Sequence, residues 1–122
     1  GGQLQVFNKR NVGLPSDNVT ALAVDEQGEL WIGTDRGVAS FDGAAVSPVS
    51  AISPTLVTSV LAGSGRVWVG TADQGLYVYD GKQWNRYETA DGLPSNGVTA
   101  IAALDDTAWI GGQEGGMIRV EK

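Results

Sequence analysis

Apolar residues recur along the chain in three short runs that are typical of buried β-strands. The runs cover residues 18–25, 56–63 and 97–104, and each contains Val-Thr, then Ala or Ser, then an aliphatic residue. Turns bearing Gly or Asp, which tolerate positive φ, follow each run and lead into a second run that contains a tryptophan. The pattern therefore predicts three β-hairpins.

The hairpins belong to a longer repeat marked by Trp31, Trp68 and Trp109. These residues are separated by 37 and 41 positions, the length of a four-stranded unit. A Gly-containing turn and a third strand follow each tryptophan strand, and two of the units continue into a fourth strand. The third strands are predicted at 38–43, 76–81 and 117–122, and the fourth strands at 44–49 and 82–87.

The fourth strand missing from the third unit is predicted at the N-terminus. The segment QLQVFNKRNVGLPSDNV aligns with QWNRYETADGLPSNGV after one insertion, which places Leu4 against Trp84 and Phe7 against Tyr87. In many β-propellers one blade combines strands from the two ends of the chain, as this repeat does. We therefore predict an all-β propeller with three four-stranded blades per chain. Residues 1–10 are then the outer strand of the closing blade, and 17–50, 55–88 and 96–122 are blades 1, 2 and 3.

Three blades are too few for a closed ring, because propellers need about four to eight. The predicted assembly is a homodimer that forms a six-bladed ring, in which the N-terminal strand of each copy completes the last blade of the other by strand exchange. The alternative is an arc cut from a longer propeller, natural or engineered.

The repeated tryptophans and the glycines that follow them are interpreted as packing residues. A large ring on the second strand fills the wedge between neighbouring blades. Gly33, Gly70 and Gly111 lie two positions beyond Trp31, Trp68 and Trp109. A glycine inside a strand weakens it, so we expect these three to allow a close approach or a local bend.

The phrase GLPSDNVTALAVDEQGELWIGTDRGVASFDG at 13–43 resembles the two-component regulator propeller repeat, and residues 91–112 resemble it almost as closely. The second unit lacks the Gly-Leu-Pro-Ser segment. The resemblance implies a bacterial sensory propeller, commonly the periplasmic input portion of hybrid sensor kinases, in which paired propellers bind carbohydrate-derived signals or transmit a dimer rearrangement. It therefore implies a periplasmic or extracellular location.

Charge and composition exclude several classes of partner. The formal net charge is −6 with only eight scattered basic residues, too few to neutralise a run of phosphates, so nucleic acid is not an expected partner. No apolar run approaches the roughly 20 residues of a spanning helix, and membrane insertion is not expected. The absence of cysteine removes disulfides and thiolate metal sites.

Candidate ligand-binding residues lie in the turns between the second and third strands of each unit. These turns and the Gly-Leu-Pro-Ser loops are expected on one face of the propeller, around the mouth of its channel, where loops on a rigid scaffold commonly bind ligands. The candidates differ between otherwise equivalent positions: Asp35, Arg36, Asp73, Gln74, Gln113 and Glu114. Ordinary solvated turn residues are the alternative interpretation.

No catalytic residue, metal site or cofactor is predicted. With neither His nor Cys in the chain, nucleophile pairs of the Ser-His or Cys-His type are impossible. The carboxylate pairs Asp25-Glu26 and Asp105-Asp106 belong to hairpins on the opposite face, where nothing predicts a raised pKa. GGQEGG has no following Lys-Ser or Lys-Thr, so it is a weak phosphate cradle. We expect a non-enzymatic ligand-binding or sensory-type module; a purely structural or protein-interaction propeller is the alternative.

Overall fold

The computed structural model describes residues 13–52, 54–63, 65–93, 95–104, 107–113 and 116–121. These residues form short β-strands joined by tight turns, together with a 3₁₀ helix at Thr89–Asp91. The strands are β1 (Val19–Val24), β2 (Leu30–Thr34), β3 (Gly37–Phe41), β4 (Val46–Pro48), β5 (Val57–Gly63), β6 (Arg66–Thr71), β7 (Leu76–Tyr79), β8 (Trp84–Tyr87), β9 (Val98–Leu104), β10 (Thr107–Gly112) and β11 (Met117–Glu121). Within this part of the chain, no helix is both long enough and apolar enough to cross a membrane.

The strands form three antiparallel sheets, which are the blades predicted from the repeat. Blade 1 has the order β1-β2-β3-β4, blade 2 has β5-β6-β7-β8, and blade 3 has β9-β10-β11. The predicted all-β fold with one tryptophan hairpin per blade is therefore confirmed. The predicted outer strand at residues 1–10 lies outside the described residues.

The fourth strands begin later than predicted because an aspartate side chain accepts hydrogen bonds from the two backbone N–H groups that precede each one. Asp42 Oδ1 accepts the backbone N–H groups of Ala44 at 2.8 Å and Ala45 at 2.9 Å, so β4 starts only at Val46. Asp80 accepts the equivalent two amides before β8. The glycines that follow, Gly43 and Gly81, have positive φ, which a side chain would strain.

The blades pack face to face, with their first strands innermost. Strand β1 lies against β5, and β5 lies against β9. The junction between blades 1 and 2 buries Trp31 and Val38 against Val57 and Val69. The junction between blades 2 and 3 buries the equivalent Trp68 and Leu76 with their own set of partners, Val98 and Ile110. The same contact is thus used twice.

A valine from each following blade lies over a glycine of the preceding blade. A Cβ built on Gly33 would lie 2.6 Å from Val57 Cγ1, and one built on Gly70 would lie 2.6 Å from Val98 Cγ1. Both valines are fully enclosed, with exposures of 0% and 1%. The predicted close approach at these two glycines is therefore confirmed, and its cause is the neighbouring blade.

A threonine hydroxyl crosses each junction beside the valine. Thr20 Oγ1 donates to the carbonyl of Val57 at 2.6 Å, and Thr58 Oγ1 donates to the carbonyl of Val98. These two threonines occupy the same position in β1 and β5. The Val-Thr pair seen in the sequence is therefore a packing and hydrogen-bonding device between blades.

The third tryptophan differs from the other two. Trp31 and Trp68 are 6% and 5% exposed, whereas Trp109 is 43% exposed and has the guanidinium of Arg119 5.7 Å from its ring centre. Core burial was expected for all three. Among the described residues no further blade packs on this side of blade 3, so the ring of Trp109 lies at an open face.

Candidate functional site

The predicted face exists: the loop that leads into each blade lies against the turn between that blade's second and third strands. Asn18 Nδ2 donates to Asp35 Oδ2 at 3.2 Å in blade 1, and Thr55 Oγ1 donates to Asp73 Oδ1 at 3.1 Å in blade 2. In blade 3 the N–H of Gln113 donates to the carbonyl of Gly97 at 2.7 Å. We call this end of the molecule the mouth face.

Asp35 is held by its own blade. The hydroxyl of Ser16 and the amide of Asn18 donate to its carboxylate and hold the pKa of Asp35 below its ordinary value of 3.8. Arg36 nearby acts in the same direction through its charge. Asp35 is consequently ionised at neutral pH. Its hydrogen bonds join the loop before β1 to the turn between β2 and β3.

The candidates in blade 2 are engaged in a similar way. The N–H of Gln74 donates to Thr71 Oγ1 at 2.9 Å, and its carbonyl accepts the Nε of Arg86 at 2.8 Å. The exposed residue Asp73 accepts the bond from Thr55. Glu114 of blade 3 lies outside the described residues. These candidates therefore share one face, but most of their known contacts belong to the scaffold.

Arg36 is the candidate whose position most favours ligand contact. It is exposed and lines an open cavity of about 360 Å³ together with Asp35, Pro15, Ser16, Asp17 and Asn18. It also borders a neighbouring depression of about 440 Å³ towards blade 2, whose wall includes Pro48 and Pro54. A guanidinium between two cavities can donate up to five hydrogen bonds in a planar fork.

A third cavity lies at the opposite end of the same two blades. It measures about 370 Å³, and its wall includes Asp25, Glu26, Arg66 and Tyr79. Sequence reasoning assigned no site there. The only sequence signal was the run DEQGE, whose acidic residues were interpreted as hairpin residues.

Asp25 is the organising residue of that cavity. Its Oδ1 accepts the N–H groups of Gln27 and Glu29, both at 2.9 Å, and its Oδ2 accepts Trp31 Nε1 at 3.0 Å. Desolvation acts to raise the pKa of Asp25, but these hydrogen bonds outweigh it and hold the pKa below 3.8. Asp25 is therefore ionised near neutral pH.

Comparison with known families identifies the repeat in blade 1. Residues 13–36, which span its mouth loop, first hairpin and second turn, match the two-component regulator propeller family. Residues 13–36 are therefore similar to a two-component regulator propeller repeat. The match covers the Gly-Leu-Pro-Ser loop, Trp31 and the candidate pair Asp35 and Arg36.

Two solved structures that are similar to this chain are extracellular domains of bacterial regulatory systems. The extracellular domain of a hybrid two-component system from B. thetaiotaomicron superposes with a TM-score of 0.84 at 22% identity, covering 96% of this chain and 18% of that one. The extracellular domain of a one-component system from the same organism gives 0.74 at 16% identity, covering 88% and 17%. These likenesses establish the β-propeller fold, and the chain spans less than a fifth of either structure. No match was found among curated protein sequences.

Proposed function

We propose that this chain is a non-enzymatic, sensory-type propeller module that binds a small polar ligand outside the cytoplasm. The regulator propeller repeat at 13–36 supports a role in signal reception. The similar solved structures are extracellular domains of regulatory systems, which supports a periplasmic or extracellular location. The absence of His and Cys from the sequence supports binding rather than catalysis.

The observation that carries the proposal is the cavity shared by Asp35 and Arg36. An ionised carboxylate accepts hydrogen bonds from ligand hydroxyls, and a guanidinium donates to hydroxyls or pairs with a carboxylate. Ser16 and Asn18 add further polar groups to the same wall. This chemistry fits a carbohydrate, and a sugar that carries a carboxylate fits it best.

Calorimetric titration with neutral and uronic-acid disaccharides tests this assignment. The uronic-acid disaccharide is expected to bind the unaltered chain, and Arg36→Ala is expected to weaken that binding by at least tenfold, the usual weight of a charge-assisted hydrogen bond. Lys82→Ala is the matched control, because Lys82 is an exposed cation in the β7–β8 turn at the opposite end of the blades. Equal binding by Arg36→Ala and Lys82→Ala, or no binding of either sugar, would contradict the proposal.

A purely structural or protein-interaction propeller is the second candidate. The observation in its favour is that Asp35, Asp73 and the backbone of Gln113 each hold the loop of their own blade. If this candidate is correct, Asp35→Asn lowers the free energy of unfolding while no disaccharide binds. The disaccharide titration therefore separates the two functions, because Asp35→Asn should lower the free energy of unfolding under both.

A further inference from the structure

We propose that blade 1 of one copy of this chain packs against blade 3 of a second copy, at both ends, to close a ring of six blades. Two apolar faces remain open among the described residues. The open face of blade 1 consists of Val19, Leu22 and Val24, and the open face of blade 3 consists of Trp109, Gly111 and Met117. The named large side chains of both faces are between 43% and 66% exposed.

The first support is that the two open faces match the two sides of the existing junctions between blades 1 and 2 and between blades 2 and 3. Val19 occupies the position of Val57 and Val98, and Gly111 occupies the position of Gly33 and Gly70. A Cβ on Gly111 would meet nothing nearer than Thr99 Oγ1 at 3.4 Å. The space above Gly111, which a valine fills above Gly33 and Gly70, is therefore empty. Val19 of a second copy has the position and shape that fill it.

The second support is the threonine that crosses each junction. Thr99 is the counterpart of Thr20 and Thr58, but its Oγ1 donates to the carbonyl of Gly111 in its own blade, at 3.3 Å. That bond is longer than the 2.6 Å bond that Thr20 makes to the next blade. With a second copy in place, Thr99 can turn to the carbonyl of Val19, as its two counterparts turn to Val57 and Val98.

The third support lies at the mouth face. The N–H of Gly75 in the turn of blade 2 donates to the carbonyl of Asn96 in the loop of blade 3, at 2.8 Å. Gly116 is the counterpart of Gly75, and both have positive φ. Asp17 is the counterpart of Asn96. A second copy would therefore place its loop 14–18 on the turn of blade 3, beside Gln113, and would complete the mouth there.

For a ring built from copies of this 122-residue chain alone, the number of copies follows from the blade count. A propeller ring holds about four to eight blades, so two copies of three blades fit this range, whereas one copy or three copies do not. Two head-to-tail junctions related by a two-fold axis leave neither open face exposed. A ring of two copies therefore covers both open faces of each copy.

Sedimentation velocity on the 122-residue chain tests the proposal, and the expected mass is twice the chain mass of 12.7 kDa. Gly111→Ala is expected to weaken association at least tenfold, because the added Cβ would strike Val19 of the second copy. Gly63→Ala is the matched control, since Gly63 also lies in a strand and a Cβ there meets nothing within 4 Å.

Leu22→Lys provides an independent variant if Gly111→Ala does not fold. Leu22 is 60% exposed in the isolated chain, so the far-ultraviolet circular dichroism should be unchanged while association is lost. A monomer at every concentration would overturn the proposal and would leave the open faces to further repeats of a longer chain. Masses of three or more copies, or equal association by Gly111→Ala and Gly63→Ala, would also overturn it.

Discussion

Replacing Gly70 by alanine tests how the blades are held together. The new Cβ would lie 2.6 Å from Val98 Cγ1 and 2.9 Å from Ser59 Oγ. Val98 is 1% exposed, and its β-branched side chain has few alternative rotamers, so blade 3 must shift away from blade 2. Overpacking of this kind costs about 1–3 kcal/mol. The lower entropy of the unfolded alanine variant offsets about 0.5–1 kcal/mol of that cost.

The net expectation for Gly70→Ala is a loss of up to about 2.5 kcal/mol in the free energy of unfolding, with a central value of about 1 kcal/mol. Urea denaturation followed by tryptophan fluorescence measures this loss, and with a slope of about 2 kcal/mol/M the midpoint should fall by about 0.5 M. Gly63→Ala, which meets nothing within 4 Å, should leave the midpoint unchanged or raise it slightly. Equal midpoints for the two variants would refute the valine-over-glycine contact as the basis of blade packing.

Two further predictions concern hydrogen bonds that cross between elements. Thr58→Val and Thr20→Val should each lower the free energy of unfolding by about 1 kcal/mol in the same urea assay, because each removes a hydroxyl that bonds the next blade. A change in only one of them would contradict the equivalence of the two junctions. Asp25 should contribute to acid unfolding: its pKa is below 3.8 in the folded chain, so its stabilisation is complete above about that pH and is lost as the pH falls below it. Asp25→Asn should cost about 1–3 kcal/mol at pH 7 and flatten the loss of stability in acid; an unchanged acid transition would contradict this role.

The repeat was readable from the sequence because a propeller blade is a local unit. Each hairpin joins strands that are close in the chain, and residues such as Asp42 and Gly43 mark where the chain turns. Trp31 and Trp68 could be placed between blades because a large ring recurring at one strand position needs a recurring cavity. These features depend on residues within one unit, and they give the fold class and the strand positions.

The sequence could not show which partners each repeated residue meets. Val57 and Val98 are buried while the equivalent Val19 is 44% exposed, a difference that depends on the neighbouring blade and not on the local pattern. The loop contacts of Asp35 and Asp73 were likewise invisible, because they pair with residues 17 and 18 positions away. The loop and the turn of each blade lie together as the repeat predicts, whereas the division of their residues between scaffold contacts and ligand contacts stays a prediction.

The pairing of the two open faces can be tested most directly with cysteines, since the chain has none of its own. In the two existing junctions, the Cβ positions of the glycine and the valine are 3.2 Å and 3.1 Å apart, close to the approximately 3.5–4.5 Å of a disulfide. The double variant Val19→Cys with Gly111→Cys, oxidised and separated on a non-reducing gel, should therefore run at twice 12.7 kDa and return to the single mass on reduction. Val57→Cys with Gly33→Cys is the control and should form its disulfide within one chain. A double variant that remains at the single mass while the control is oxidised, or that forms a ladder of higher masses, would contradict the closed ring of two copies.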